Sequence, residues 1–168
     1  SFLREMEFNR LLSSAISTYG ESGFGNINEK KINITSNNDT ISRDKYFLFQ
    51  NENEIENWLK KADDIGEFAI DTETSSLDAH QADLVGISMC YKTGFSGYIP
   101  LAHKTGKNLD TEKVLNILKP YLEDKSIKKI GQNIKFDYII FYKRGIKINS
   151  IEDTMLMSYV LDAGKNRH

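Results

Sequence analysis

From residue 46 onward the chain alternates short strand-forming runs with amphipathic stretches, and this alternation restricts its fold more than any other feature. "YFLFQ" reads as a strand. "NENEIENWLKKADD" reads as a helix, with Asn53 as candidate N-cap, Glu56 three residues on, and Ile55, Trp58, Leu59 and Ala62 inward. "EFAIDTE", "ADLVGISMCYK" and "GFSGYIPLA" read as three strands, the last two joined by Thr93-Gly94, a pair suited to a tight hairpin. "DTEKVLNILKPYLED" predicts a helix capped by Asp110 with Val114, Leu115, Leu118 and Leu122 buried. Pro120 is expected to kink or shorten it. "KKIGQNI" reads as a strand, "KFDYIIFYKRG" as a helix ended by Gly145, and "DTMLMSYVLDA" as a helix ended by Gly164. A strand meander followed by helix-linked strands predicts an α/β fold, a mixed sheet flanked by helices.

Upstream of this body, residues 1–19 carry Phe2, Met6, Leu11, Leu12 and Ile16 at helical spacing. Residues 20–45 are rich in Gly, Asn, Ser and charge without an apolar period, and read as a flexible linker. The organisation expected is therefore 1–19, a linker over 20–45, and a folded domain over 46–168. The chain starts at Ser1 without Met and stops at "AGKNRH", so it is expected to be a piece of something longer. A formal charge of -2 gives no global basic footprint, so any nucleic-acid binding must come from a local patch or from metal ions bridging to phosphate. The single Cys90 excludes an internal disulfide and a cysteine-rich zinc site, and points to a reduced, cytoplasmic setting. No apolar stretch reaches membrane-spanning length, so no membrane partner is expected.

The residues that carry chemistry begin in "EFAIDTETSSLD", residues 67–78. Asp71 and Glu73 stand two apart and so share a face of the strand, where like charges repel unless a cation lies between them. An isolated Asp-x-Glu is ordinarily a polar strand end meeting solvent. Here the apolar Phe68-Ala69-Ile70 puts the pair at the C-terminal end of a buried strand, where open α/β sheets place their sites. "GQNIKFD" again runs from a strand into a polar turn and supplies Asp137. Leu77 lies in a small polar turn without an obvious core partner. Hard divalent cations take such carboxylates, and two of them can activate water and hold the leaving oxygen of a phosphodiester. No P-loop, Gly-x-Ser-x-Gly elbow or metal-spaced His pair offers a rival chemistry.

"FAIDTETSSLD", "LVGISMCY", "GYIPLAH", "KKIGQNIKFDYIIF" and "EDTMLMSYVL", taken in order, resemble the 3′–5′ proofreading exonuclease domain of bacterial DNA polymerases of type I. These are four-carboxylate exonucleases with a ribonuclease-H-like fold. Residues 1–19 resemble the tail of the 5′-nuclease region that precedes the domain in such polymerases. The resemblance implies Asp71 bridging two ions (Mg²⁺ or Mn²⁺), Glu73 on the nucleophile side and Asp137 on the second ion, the three carboxylates converging on one metal site. It further implies Leu77 as a wedge against the terminal base, Asn133 contacting the substrate, Gln132 and Phe136 as lesser strand contacts, and the Thr72 backbone approaching the 3′ end. The implied substrate is the 3′ end of single-stranded DNA, in replication and repair, and the implied partners are the polymerase and 5′-nuclease domains of the same parent chain.

One departure stands out. The family's third motif is a Tyr with an Asp four residues later, and this chain has none; Tyr159 and Asp162 have the wrong spacing and read as a helix face. The chain is therefore expected to be a weak nuclease, with apolar surface around Met155–Leu161 that favours self-association. Two rival functions follow: a catalytically inactive DNA-binding or structural module of a polymerase, and an RNA-trimming exonuclease like ribonuclease D. His103 reads as a strand-end residue, Asp153 as a helix cap or ion-pair partner, and Lys128–Lys129 and Lys143–Arg144 as solvated faces.

Overall fold

The computed structural model describes residues 46–161. The expected elements over 1–19 and 20–45, and the helix end at Gly164, lie outside the described residues. The elements run β1 (Phe47–Leu48), α1 (Glu52–Ile65), β2 (Glu67–Thr74), β3 (Leu84–Lys92), β4 (Phe95–Pro100), α2 (Thr111–Glu123), β5 (Lys128–Gly131), α3 (Lys135–Tyr142), β6 (Ile151–Asp153) and α4 (Thr154–Leu161). They build a mixed six-stranded sheet in the order β1-β4-β3-β2-β5-β6. β2, β3 and β4 form the antiparallel meander; β1 joins β4, β5 joins β2 and β6 joins β5 in parallel. No helix among the described residues is long and apolar enough to cross a membrane.

The helix start differs from the sequence expectation. Asn51, not Asn53, caps α1: its side chain accepts from the Glu54 N–H at 3.1 Å, and the Glu54 carboxylate accepts from the Gln50 N–H at 2.7 Å. The same Asn-x-x-Glu signal occurs twice in register, and the earlier copy adds half a turn of helix. α2 starts at Asp110 as expected, but it runs straight through Pro120. Pro120 and Asn116, the residue four back, are both exposed, so the carbonyl that the proline leaves unbonded meets water. β6 was not expected. Its three residues carry no alternation of their own and become a strand by pairing with β5 at the sheet edge.

One face of the sheet is dry. Phe68 and Ile70 of β2 pack there beneath α1, with Trp58 edge-on to Phe49 and Phe68 at 6.4 and 6.1 Å. Ile55, Leu59, Leu118, Leu122 and Phe141 complete this layer, all nearly or fully buried. The other face is an open trough of about 490 Å³ lined by Ala69, Ser88, Cys90, Ser96, Ile130 and Gln132. Alternation along β2 therefore decides which of its residues reach solvent: Thr72 turns into the helical layer, and Asp71 and Glu73 turn out.

The basic pairs also differ from expectation. Lys129 is fully buried, and its ammonium donates to the carbonyls of Tyr121 at 3.2 Å, Asp124 at 2.5 Å and Ile127 at 2.5 Å. Lys143 donates to Ala79 and Ala82 carbonyls at 3.1 and 3.0 Å, and Arg144 to Ile140 at 3.0 Å. Lys128 and Lys143 still fit the solvated reading, Lys143 being exposed and Lys128 bridging half-exposed Glu152 at 2.9 Å and Glu67 at 3.6 Å. Sequence shows charge but not the dangling carbonyls that charge can satisfy.

Candidate active site

The pairing of β2 with β5 ends at Ala69 and Ile130, after which β5 turns away into α3. β2 continues to Thr74, so its last residues lack a neighbour on that side. Asp137, in the first turn of α3, takes the place of the missing strand. Its Oδ1 accepts from the Thr72 N–H at 2.8 Å and from the Thr72 hydroxyl at 2.6 Å. Burial pushes the Asp137 carboxyl above its ordinary range, and the nearby Asp71 charge adds to this; the two Thr72 donors pull the other way.

The turn before α3 is shaped for the same cleft. Asn133 adopts a positive φ of 55°, a conformation that asparagine tolerates better than most residues. Its N–H donates to Asp153 Oδ1 at 3.1 Å, and the same oxygen accepts from the Met155 N–H at 2.9 Å. Asp153 is thus the helix cap that the sequence suggested, with the added task of anchoring the Asn133 turn. On the opposite lip, the segment after β2 is pinned at several points. Ser75 N–H donates to the Asp83 carbonyl at 3.0 Å, Asp83 N–H returns to Ser75 Oγ at 2.9 Å, and Lys143 grips Ala79 and Ala82. Leu77 rides on this braced loop with 98% of its surface exposed.

Asp71, Thr72, Glu73, Leu77, Gln132, Asn133, Phe136 and Asp137 line a single cleft of about 410 Å³. All eight residues named from the sequence are brought together at the C-terminal ends of β2 and β5. One expectation needs correction. The carboxylates do not form a ready-made ligand shell: among the described residues no group of three His, Cys, Asp or Glu side chains is set to hold a metal ion. The cause is the alternation of β2, which sends Asp71 and Glu73 to the open face while Asp137 is held to Thr72 from the helical side. The Thr72 N–H is taken up by Asp137, while Thr72 itself lines the cleft. The donor set itself suits a hard divalent cation, since the cleft offers carboxylate, hydroxyl and amide oxygens and no sulfur or imidazole.

Sequence reasoning missed Thr72 as the partner of Asp137, and Lys143 as the brace of the Leu77 loop. Neither has a local signal, because the contacts span 65 and 64 residues. His103 stands just beyond β4 as the sequence suggested, with Nε2 at 2.8 Å from the Tyr98 hydroxyl. A groove of about 770 Å³ beside α4 is lined by Ile134, Tyr138, Ile151, Leu156, Val160 and Leu161, so the expected apolar surface is present.

Comparison with known proteins places this architecture. A family model described as 3′–5′ exonuclease matches residues 46–168. DNA polymerase I of Rhizobium leguminosarum is 40% identical over 134 residues, covering 68% of this chain and 13% of that protein. DNA polymerase I of Pseudomonas aeruginosa is 36% identical over 171 residues, covering 98% of this chain and 18% of that protein. The chain thus spans less than a fifth of the length of either relative. Among solved structures, Escherichia coli RNase D superposes with a TM-score of 0.54 at 19% identity, over 72% of this chain and 30% of that one, a likeness of fold alone. The mixed sheet with its flanking helices is the ribonuclease-H-like arrangement of such exonucleases, and with the match running from the first described strand onward, the chain belongs to the 3′–5′ exonuclease family of DNA polymerase I.

Proposed function

We propose that the domain hydrolyses the 3′-terminal phosphodiester of single-stranded DNA, as the proofreading exonuclease of a cytoplasmic DNA polymerase I acting in replication and repair. The observation that carries this reading is the single cleft in which Asp71, Glu73 and Asp137 meet Leu77, Gln132, Asn133 and Phe136. Asp71, Glu73 and Asp137 would hold two divalent ions, Mg²⁺ or Mn²⁺. Bound there, such ions lower the pKa of water and neutralise charge on the leaving oxygen. Thr72 fixes the Asp137 carboxylate in one orientation within the cleft through two hydrogen bonds. Leu77, braced and almost wholly exposed, wedges a frayed terminal base, which favours single strands over duplex. Asn133 and Gln132 present amides to the sugar-phosphate, and Phe136 an aromatic face. On this reading residues 1–19 are the tail of an upstream 5′-nuclease region, 20–45 the linker and 46–168 the exonuclease domain, and the partners are the polymerase and 5′-nuclease domains of the parent chain. The exposed Leu156, Val160 and Leu161 favour self-association of the piece.

The test uses 5′-labelled single-stranded DNA and its RNA counterpart, with Mn²⁺, at high protein concentration. Slow stepwise shortening of the DNA from its 3′ end is expected, abolished in Asp71→Ala. The rate should stand near background, because the chain lacks a Tyr followed four residues later by Asp. Preferred shortening of RNA would instead support the ribonuclease-D-like reading, and strand binding without cleavage the inactive module. Leu77→Ala should leave the melting temperature within the scatter of surface variants, about 0.5 kcal/mol. Binding of a DNA 3′ end should weaken about fivefold in Kd, or about 1 kcal/mol. An unchanged Kd would remove Leu77 from the site.

A further inference from the structure

Glu73 pairs with Gly86 across β2 and β3, and Asp71 pairs with Ser88, which in turn pairs with Tyr98 of β4. Asp71, Glu73, Gly86 and Tyr98 therefore share the open face of the sheet. The Tyr98 ring leans along the sheet over Gly86: a Cβ at Gly86 would stand 1.9 Å from Tyr98 Oη. The phenol thus fills the slot that the missing side chain leaves directly opposite Glu73, where paired side chains approach to about 5 Å. Burial first, and then the Glu73 charge, push the Tyr98 phenol above its ordinary value, so it keeps its proton.

Behind Tyr98 stands His103, with Nε2 at 2.8 Å from Oη. The backbone that carries the imidazole is tied down within its loop. His103 N–H donates to Asn108 Oδ1 at 2.9 Å, and Asn108 Nδ2 donates back to the His103 carbonyl at 2.9 Å. Leu109 N–H ties the loop to the Pro100 carbonyl at 2.8 Å, and Lys107 Nζ ties it to the Gln50 carbonyl at 2.8 Å.

We propose that Tyr98 and His103 are a positioning pair for the Glu73 carboxylate, fixing the orientation in which it meets a divalent cation. The phenol has one proton to give. With His103 Nε2–H donating to Oη, that proton is left to turn toward the Glu73 carboxylate on the same face of the sheet when Glu73 takes up a cation. This inference rests on the metal-binding reading of the cleft.

The test is a Mg²⁺ titration of the chain labelled with ¹⁵N on histidine side chains and backbone amides. Mg²⁺ should shift the His103 Nε2 signal together with the Asp71 and Thr72 amides. In Tyr98→Phe and in Glu73→Gln the His103 signal should stay still. Mn²⁺ affinity should fall about tenfold in Tyr98→Phe, the usual size for loss of a group that orients a ligand. His103→Gln, which keeps an amide at comparable reach, should recover most of what His103→Ala loses. If the Asp71 and Thr72 amides move while the His103 ring and the Tyr98→Phe affinity do not, the pair is only structural and the proposal fails, with the metal site intact. If Mg²⁺ moves none of these amides, the metal reading of the cleft falls and takes the pair with it. Should Tyr98→Phe fail to fold, the His103 signal in wild type and Glu73→Gln decides.

Discussion

Asp137→Asn should make the protein more stable at neutral pH while removing its response to Mn²⁺. The asparagine keeps Oδ1 as acceptor for the Thr72 N–H and hydroxyl, so the bridge between β2 and α3 survives. What disappears is a buried charge, and burial is the main reason that this carboxyl titrates high. The sign follows from proton binding. With the folded value above the unfolded one, the native state holds its proton longer. The stability this contributes is complete below the ordinary carboxylate range and is lost as pH rises through the folded value. The variant has no such loss. Its advantage should be absent in acid and grow to about 1 kcal/mol at neutral pH, or roughly 4 °C in melting temperature. Millimolar Mn²⁺ should raise the melting temperature of the wild type but not of this variant, nor of Asp71→Ala, Glu73→Ala. Thermal melts across pH 4–8, with and without Mn²⁺, measure both effects. A variant less stable than wild type at pH 7 would mean that Oδ2 makes a contact the amide cannot replace. On the proposed metal-binding reading, stability withheld at Asp137 is the usual compromise of a functional site.

Lys129→Met should cost about 3 kcal/mol, lowering the melting temperature by more than 10 °C. The methionine fills the volume but leaves the carbonyls of Tyr121, Asp124 and Ile127, buried or partly buried, without the ammonium that bonds them. Those carbonyls close the end of α2 onto β5, the strand that leads into the Asn133 turn, so the damage should reach the cleft. The lysine also carries a pH signature. Burial lowers its ammonium to about 8. The unfolded chain therefore binds more protons between about 8 and the ordinary 10.5, and wild-type stability should rise with pH across that window. The methionine variant should lack this rise, so the gap between the two should widen in alkali. A gap that stays constant from pH 7 to 10 would show that the three carbonyls hold the charge as well as water does.

Much of the domain was determined by local sequence. The inward residues of α1 and α2, the Asp110 cap and the three-strand meander follow from apolar period and turn chemistry, which act over a few residues. The position of Asp71 and Glu73 was legible for a related reason, since an apolar strand ending in acids places them at a sheet end; Leu77, Gln132, Asn133 and Phe136 were singled out only through the family resemblance. β6 was not legible, because three residues become a strand only when β5 offers an edge. Nor were the tasks of two lysines, the buried Lys129 and the exposed Lys143, which look alike in sequence until a helix end or a loop brings them carbonyls to bond. The cleft itself shows the same division. Sequence supplied Asp71, Glu73 and Asp137 as types and spacings. Only the tertiary structure decided that Asp137 would reach Thr72 from the dry side of the sheet while the other two face the open side, because the departure of β5 left one N–H of β2 to be satisfied.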